Sequence, residues 1–409
     1  MLVAHLADLH LGYRAYHRLA AGGINVRERD VALAFRAALD RLIQLRPDLI
    51  LFAGDIFHTV RPSNAAIADA FRQFSRLRNA LPDAPVVLIA GNHDSPRSVE
   101  TGSILRLLAE IPGVQVMDQE ARAVHFSEWN VTVTGVPHAH LAAHGQVPDP
   151  DPQAGTNLLM LHGLPTAPVA EAKIAFTSEY GGAEFDADAL RPGRWDYIAL
   201  GHHHEVTQIE PNMWYAGGLE RTSANIWKEH KPKGLLTFNS DTGEVAFHEI
   251  ETRPMHDLRS FSALSERSGS AEPLYLDAQE IDTRIRALVE AIPGGLEGKI
   301  VRLVIYDLPR DLFRELNHKT LREYRATALH FHLDARRPET RRSGLIEGVG
   351  RRRTIEQEVE WYVSEHWRPS SSEIDKQRLL TLASLYLAES NALTPVTEPD
   401  EPAALITAE

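Results

Sequence analysis

Five short polar clusters carry the chemistry open to this sequence: Asp8-Leu9-His10, Gly54-Asp55-Ile56-Phe57-His58, Gly91-Asn92-His93-Asp94, His162-Gly163 and Gly201-His202-His203-His204. Asp, Asn and His are the residue types that bind divalent cations without thiolate help. The 409 residues include 20 His, roughly twice ordinary usage, and no Cys, which excludes disulfides, thiolate metal sites and a Cys nucleophile. The clusters offer more donors than one ion takes, since a single site needs at most about four to six protein ligands. Two ions fit better. Asp55, which leads the second cluster beside Gly54, is the candidate to bridge them, because a carboxylate has two oxygens and glycine lets backbone approach closely. Mixed carboxylate and imidazole donors suit Mn2+, Fe2+ or Zn2+ better than Mg2+ or Ca2+. A two-metal centre suits phosphoester hydrolysis, and a spare imidazole, His93 or His58, could protonate the leaving oxygen.

Something must bring these clusters together across nearly 200 residues of chain. Each follows an apolar run: Leu2–Ala7, Asp48–Ala53, Val86–Ala90, Leu158–Leu161 and Tyr197–Leu200 read as strands. Helical periodicity over 29–45 (Phe35, Leu39, Leu42, Ile43) and from an N-cap at Asn64 (Ile67, Phe71, Phe74, Leu77, Leu81) separates the first three. This is an α/β rhythm, in which loops at the carboxyl ends of strands converge on one crevice. From about residue 124 strands dominate, and a first domain is expected to span 1–250. A helix over 278–292, a strand over 299–306, a helix over 310–324 and a strand over 328–334 then read as a small α+β domain, 251–335. Residues 336–353 hold seven Arg against Glu339 and Glu347 and read as an exposed basic linker. Helical patterns at 355–366 and 373–390 follow, in a region 336–393. The end, 394–409, has four acids, three Pro and no base, and reads as a disordered acidic tail.

The balance of 43 basic against 56 acidic residues, a net charge of −13, argues against binding nucleic acid through the whole surface and leaves room only for a local basic face. No run approaches the roughly 20 apolar residues that span a bilayer. The first ten residues lack the basic start of a signal peptide, so a soluble cytoplasmic protein is expected.

Taken in order, the series D-x-H, G-D-x-x-H, G-N-H-D, H-G and G-H-x-H resembles the calcineurin-like metallophosphoesterase superfamily. Within it DLHLGY at 8–13, GDIFHTVRPS at 54–63 and GNHDSPRS at 91–98 are similar to the SbcD-type DNA repair nucleases. The resemblance implies a β-sandwich flanked by helices and followed by a small α+β capping domain. It implies that Asp8, His10, Asp55 and His204 hold one ion and that Asp55, Asn92, His162 and His202 hold the other. His93 would assist the leaving group and His58 would support the site. Two Mn2+ ions would be the cofactor. DNA would be the substrate and an SbcC-type coiled-coil ABC ATPase the partner, in a cytoplasmic, nucleoid-associated complex with double-stranded exonuclease and single-stranded endonuclease activity. Helices of the first 80 residues would make a homodimer face. His203, in the variable position of G-H-x-H, departs from the usual pattern.

Two rival functions remain at this point: a phosphoesterase of the same superfamily acting on small phosphoesters, nucleotides or phosphoproteins, and a non-catalytic scaffold binding DNA ends or an ATPase. His138-Ala139-His140 has ligand-like spacing but is expected to lie in a loop or at a strand end, outside the metal sites, and His17, His125 and His144 also fall outside the series. Arg61, Arg97 and Arg221 lie near the motifs and could either steer phosphates or serve as structural ion-pair partners.

Overall fold

The computed structural model describes residues 1–96, 102–166, 182–265, 274–338, 362–363 and 378–383. The chain divides into two units, Met1–Pro338 and Glu339–Glu409. Arg97, most of the basic linker, the tail and most of both C-terminal helical patterns lie outside the described residues; of the latter, 378–383 is helical.

In chain order, β1 (Leu2–Leu6), α1 (Val26–Leu45), β2 (Leu49–Ala53), α2 (Asn64–Ala80), β3 (Val86–Ile89) and β4 (Val114–Met117) build one parallel wall. β5 (Arg122–Phe126), β6 (Val131–Val136), α3 (His138–His144), β7 (Thr156–His162), β8 (Leu164–Pro165), β9 (Glu184–Phe185), β10 (Tyr197–Gly201), β11 (Thr207–Glu210) and β12 (Met213–Tyr215) supply the second wall, with β8 and β9 paired apart from it. β13 (Gly234–Asn239) and β14 (Val245–Glu249) then return to the first. The two six-stranded sheets run β14-β13-β1-β2-β3-β4 and β11-β12-β10-β7-β6-β5; β1, β2, β3 and β4 pair in parallel, as do β12, β10, β7 and β6, while β13, β14, β11 and β5 join antiparallel.

The period of two along each strand builds the layers. Leu49 and Leu51 of β2 face inward and pack with Val87, Ile89, Leu158, Met160, Tyr197 and Ala199 in a core between the sheets. Ile50 and Phe52 face outward, under Phe35 and Leu39 of α1 and Phe74 of α2. The Phe52 ring lies 5.1 Å from Phe74 and 6.5 Å from Phe35, and burying each such side chain contributes about 1.5–3 kcal/mol. Strands buried on both faces need the unbroken apolar runs that the sequence displays. The architecture is the expected β-sandwich flanked by helices.

Several boundaries differ for local reasons. α1 begins three residues early because the Asn25 side chain accepts from the Arg27 and Glu28 amides. The cap of α2 is Ser63, which accepts from Ala66 N at 3.2 Å, and Asn64 is its first helical residue. His138 and His140 lie on a short helix, α3, that Pro137 starts and Gly145, at φ 61°, ends. β4, β5, β8, β9, β11 and β15 (Met255–Ser262) are additional strands.

β15 forms a third, all-parallel sheet with β16 (Ile300–Tyr306) and β17 (His330–Ala335), in the order β15-β16-β17. Helices α4 (Ala278–Glu290), α5 (Arg310–Glu315) and α6 (His318–Thr327) make the crossovers. The single helix expected over 310–324 is two: Leu316 is extended, and Asn317 caps α6 by accepting from Thr320 N at 3.1 Å. This sheet has its own core around Ile281, Ile285, Leu303 and Phe331. It meets the sandwich through Tyr16 stacked on His330 at 4.0 Å, Arg18 donating to the Ala328 carbonyl and Arg253 paired with Asp30.

His5, on β1, is fully buried between the sheets and shares a 2.9 Å hydrogen bond with the Tyr197 hydroxyl. Burial holds its pKa down to about 3. Below the ordinary His value of about 6.5 the unfolded chain takes up a proton that the folded chain refuses, so stability drains as pH falls from there toward 3. Chelator-treated His5→Gln protein is expected to show a shallower loss of urea stability than wild type between pH 6.5 and 4.5. Parallel pH profiles for the two would contradict this assignment.

Candidate metal centre

The five clusters sit where β1, β2, β3, β7 and β10 end, all at the carboxyl edges of the parallel strands. The loops after β1 and β2 continue to pair beyond the sheet: Asp8 N donates to the Gly54 carbonyl at 3.0 Å, and His10 N and Leu11 N donate to Asp55 and Ile56 at 2.9 Å. To do so the chain turns sharply. Asp8, His10, Asp55 and His202 have φ of 52°, 48°, 52° and 99°, in the region L-residues rarely adopt. Such backbone persists only where the surroundings enforce it, and it concentrates at functional sites.

Glycine makes the close approach possible. A Cβ on Gly91 would come within 2.1 Å of Asp55 Oδ1, and one on Gly201 within 1.9 Å of the Ala53 carbonyl. Side chains at these positions would push β3 and β10 away from β2.

Two donor triads result. Asp8, His10 and His204 form one and Asp55, His162 and His202 the other; within each, ligand atoms lie within 4.8 Å of one another and all six residues are buried. Asp55 joins them, its Oδ2 lying 3.7 Å from His10 Nε2 and 3.4 Å from His162 Nε2. Asn92 Oδ1 is 3.0 Å from both His162 Nε2 and His202 Nδ1, and His10 Nε2 is 3.0 Å from His204 Nε2. All seven residues expected as ligands therefore meet in one place, with Asp55 in the middle.

The donor set fits divalent cations. His162 Nδ1 donates to the Ala53 carbonyl at 2.8 Å, which leaves Nε2 facing two acceptors, Asp55 Oδ2 and Asn92 Oδ1. A proton on Nε2 can serve one of them; a cation satisfies all three atoms. Fixing an imidazole by its far nitrogen is the usual outer arrangement of a metal ligand. The electrostatics agree. Burial pushes the Asp8 carboxyl up to about 6, opposed by His204 and His162. Burial works against charge on His162, but the Asp55 carboxylate outweighs it and lifts His162 to about 9. Asp55 is held well below the carboxylate range, because His162 overcomes its burial. Burial and the nearby His204 hold His10 well below its usual value.

His93 and His58 stand beside the triads. The His93 amide donates to Asp55 Oδ1 at 2.9 Å, and its Nδ1 donates to the His58 carbonyl at 2.7 Å. Its ring lies 4.8 Å from that of His10 and is stacked at 5.3 Å on His58. His58 Nδ1 is 3.3 Å from His10 Nδ1.

Three supports were not assigned from the sequence. Asp94, fully buried, accepts from the amides of Ile56 (3.0 Å), Phe57 (2.9 Å) and Gly91 (3.1 Å), tying the loop after β2 to the loop after β3. Lys233 donates to the His204 carbonyl at 2.6 Å and pairs with the buried Glu229. Glu205 accepts from the amides of His230 and Lys231. The only sequence signal for Asp94 was its place in GNHD; for Lys233 and Glu229 there was none.

His203 turns elsewhere, to Thr207 Oγ1 at 3.2 Å and the Tyr215 ring at 5.3 Å. Arg221 is spent on the Glu229 carbonyl and the Thr252 hydroxyl, while Arg61 is exposed.

A family model described as calcineurin-like phosphoesterase matches residues 1–206. Among curated proteins, the DNA double-strand break repair protein Mre11 of Methanocaldococcus jannaschii is 26% identical over 271 residues, 62% of this chain and 68% of that one. Proteins of the same name from Methanococcus maripaludis and Sulfurisphaera tokodaii are 26% and 28% identical over 266 and 267 residues. The matches cover 66% and 64% of those two relatives.

Proposed function

This chain belongs to the calcineurin-like phosphoesterase family, and from that premise we propose that it is a metal-dependent DNA nuclease acting in double-strand break repair. The observation that carries the reading is Asp55 Oδ2, set between His10 and His162 with each triad of buried donors on its own side. DNA is favoured over small phosphoesters because similarity to the repair proteins extends over 271 residues, past the 206 of the phosphoesterase model.

Bound between the triads, two divalent ions would polarise a phosphoryl oxygen and lower the pKa of an attacking water. Asp8, His10, Asp55 and His204 are proposed to hold one ion, and Asp55, Asn92, His162 and His202 the other. Mn2+ suits the mixed oxygen and imidazole donors, as do Fe2+ and Zn2+. Their positive charge also offsets part of the net −13 near the DNA. His93 has its Nδ1 proton committed to the His58 carbonyl, so Nε2 is the atom that holds or passes a proton to the leaving oxygen. His58 keeps that ring in place by stacking and through its carbonyl.

The proposal extends to organisation. Residues 1–250 form the nuclease domain, and 251–335, with their own core, cap it. Exposed Leu33, Phe71 and Leu107 support a homodimer through the α1–α2 side. An SbcC-type coiled-coil ABC ATPase docking on 336–393 follows from the resemblance of the motifs, and co-purification of the full chain with such an ATPase tests it. Among the described residues no helix is long and apolar enough to cross a membrane; a cytoplasmic, nucleoid-associated location completes the reading.

Purified protein with Mn2+ is expected to cleave labelled duplex DNA and bis(p-nitrophenyl) phosphate and to leave a phosphomonoester nearly untouched. His93→Leu is expected to lower cleavage at least about a hundredfold while metal content stays unchanged. Preferential hydrolysis of the monoester would favour the small-molecule phosphoesterase instead, and metal-loaded protein inert toward all three would favour a scaffold.

A further inference from the structure

We propose that Glu120, His140 and His144 form a third metal site, on the surface, for a borderline divalent cation of the Zn2+ class. The sequence drew attention to His138-Ala139-His140, but on a helix residues two apart do not share a face, whereas residues four apart do. α3 therefore separates His138 from the other two. The His138 ring stands 6.5 Å from His162 at the metal centre. His140 and His144 sit one turn apart with ring centroids 4.7 Å from each other.

Glu120, in the connection between β4 and β5, completes the group: its Oε2 lies 3.0 Å from His140 Nδ1. One donor atom from each of the three residues falls within 4.8 Å of the others. Two imidazoles at i and i+4 with one carboxylate are a three-ligand set that leaves a fourth tetrahedral position to water, an arrangement characteristic of Zn2+. Imidazole donors disfavour Mg2+ and Ca2+. The position also favours a cation, because His144 is the last residue of α3, where backbone carbonyls point outward with partial negative charge.

A cation held here joins the last turn of α3 to the β4–β5 connection, and so steadies the helix whose first residue faces His162. The site uses none of the residues of the buried centre. It therefore stands or falls independently of the proposed nuclease activity.

The test is Zn2+ titration of the full chain, stripped with chelator, against a chromophoric competitor, with Co2+ absorption as a second readout. Wild type is expected to bind about one ion per chain more than the His140→Ala/His144→Ala double variant, whatever the total, and to show a Co2+ band that the variant lacks. Glu120→Gln, an exposed substitution, is expected to weaken that one ion about tenfold or more. Hydrolysis of bis(p-nitrophenyl) phosphate is expected to be unchanged in both variants. Equal Zn2+ counts and equal Co2+ spectra in wild type and double variant would overturn the proposal. If the double variant fails to fold, an unaltered Zn2+ isotherm for Glu120→Gln does so alone.

Discussion

Asp55→Asn is expected to lower Mn2+-dependent DNA cleavage by at least about a thousandfold with little loss of stability. The amide keeps an oxygen to accept from the His93 amide, the 2.9 Å bond that carboxylate Oδ1 makes now. It cannot keep negative charge at Oδ2, the atom facing both His10 and His162. Both proposed ion positions would lose the carboxylate proposed to bridge them, which is why the effect is expected to exceed that of substitutions confined to one. Metal analysis and a urea titration of the same preparation separate the two consequences: ion content falls and the midpoint stays. Cleavage within tenfold of wild type would remove Asp55 from the role assigned to it.

Asp94→Asn is expected to be the more damaging substitution to the fold, although Asp94 belongs to neither triad. Among the described residues both carboxylate oxygens accept from backbone amides alone, Oδ1 from Phe57 and Oδ2 from Ile56 and Gly91. An amide nitrogen in either place would confront a buried N–H donor and leave it unpaired, at a cost of about 1–3 kcal/mol. The loops after β2 and β3 would separate, and with them Asp55 and Asn92. Urea denaturation should show the loss, and metal affinity should fall with it. A stable Asp94→Asn protein with full metal content would mean that these amides find other partners.

Much of this was legible in the sequence, for a physical reason. β1, β2, β3, β7 and β10 are largely buried on both faces and so read as apolar runs, interrupted in β1 by His5. The Asp, Asn and His residues that end them are polar types that apolar packing does not call for, and that contrast exposed all seven candidate ligands. β4 (VQVM), β11 (TQIE) and β15 (MHDLRSFS) alternate or lie partly exposed, and blend into loops. The break at Leu316-Asn317 hid inside a pattern that remains helical on either side. The left-handed backbone at Asp8, His10, Asp55 and His202 falls on residues other than glycine and leaves no trace in composition. Lys233 and Glu229 reach His204 only through tertiary structure. The pairing of His140 with His144 became visible once α3 was known to be a helix.

The central claim, a two-ion centre shared through Asp55, is tested most directly by anomalous diffraction at the manganese edge from crystals grown with Mn2+. Two peaks are expected about 3.5–4 Å apart, one among Asp8, His10 and His204, the other among Asn92, His162 and His202, with the Asp55 carboxylate between them. A single peak, or manganese bound away from these side chains, would contradict it.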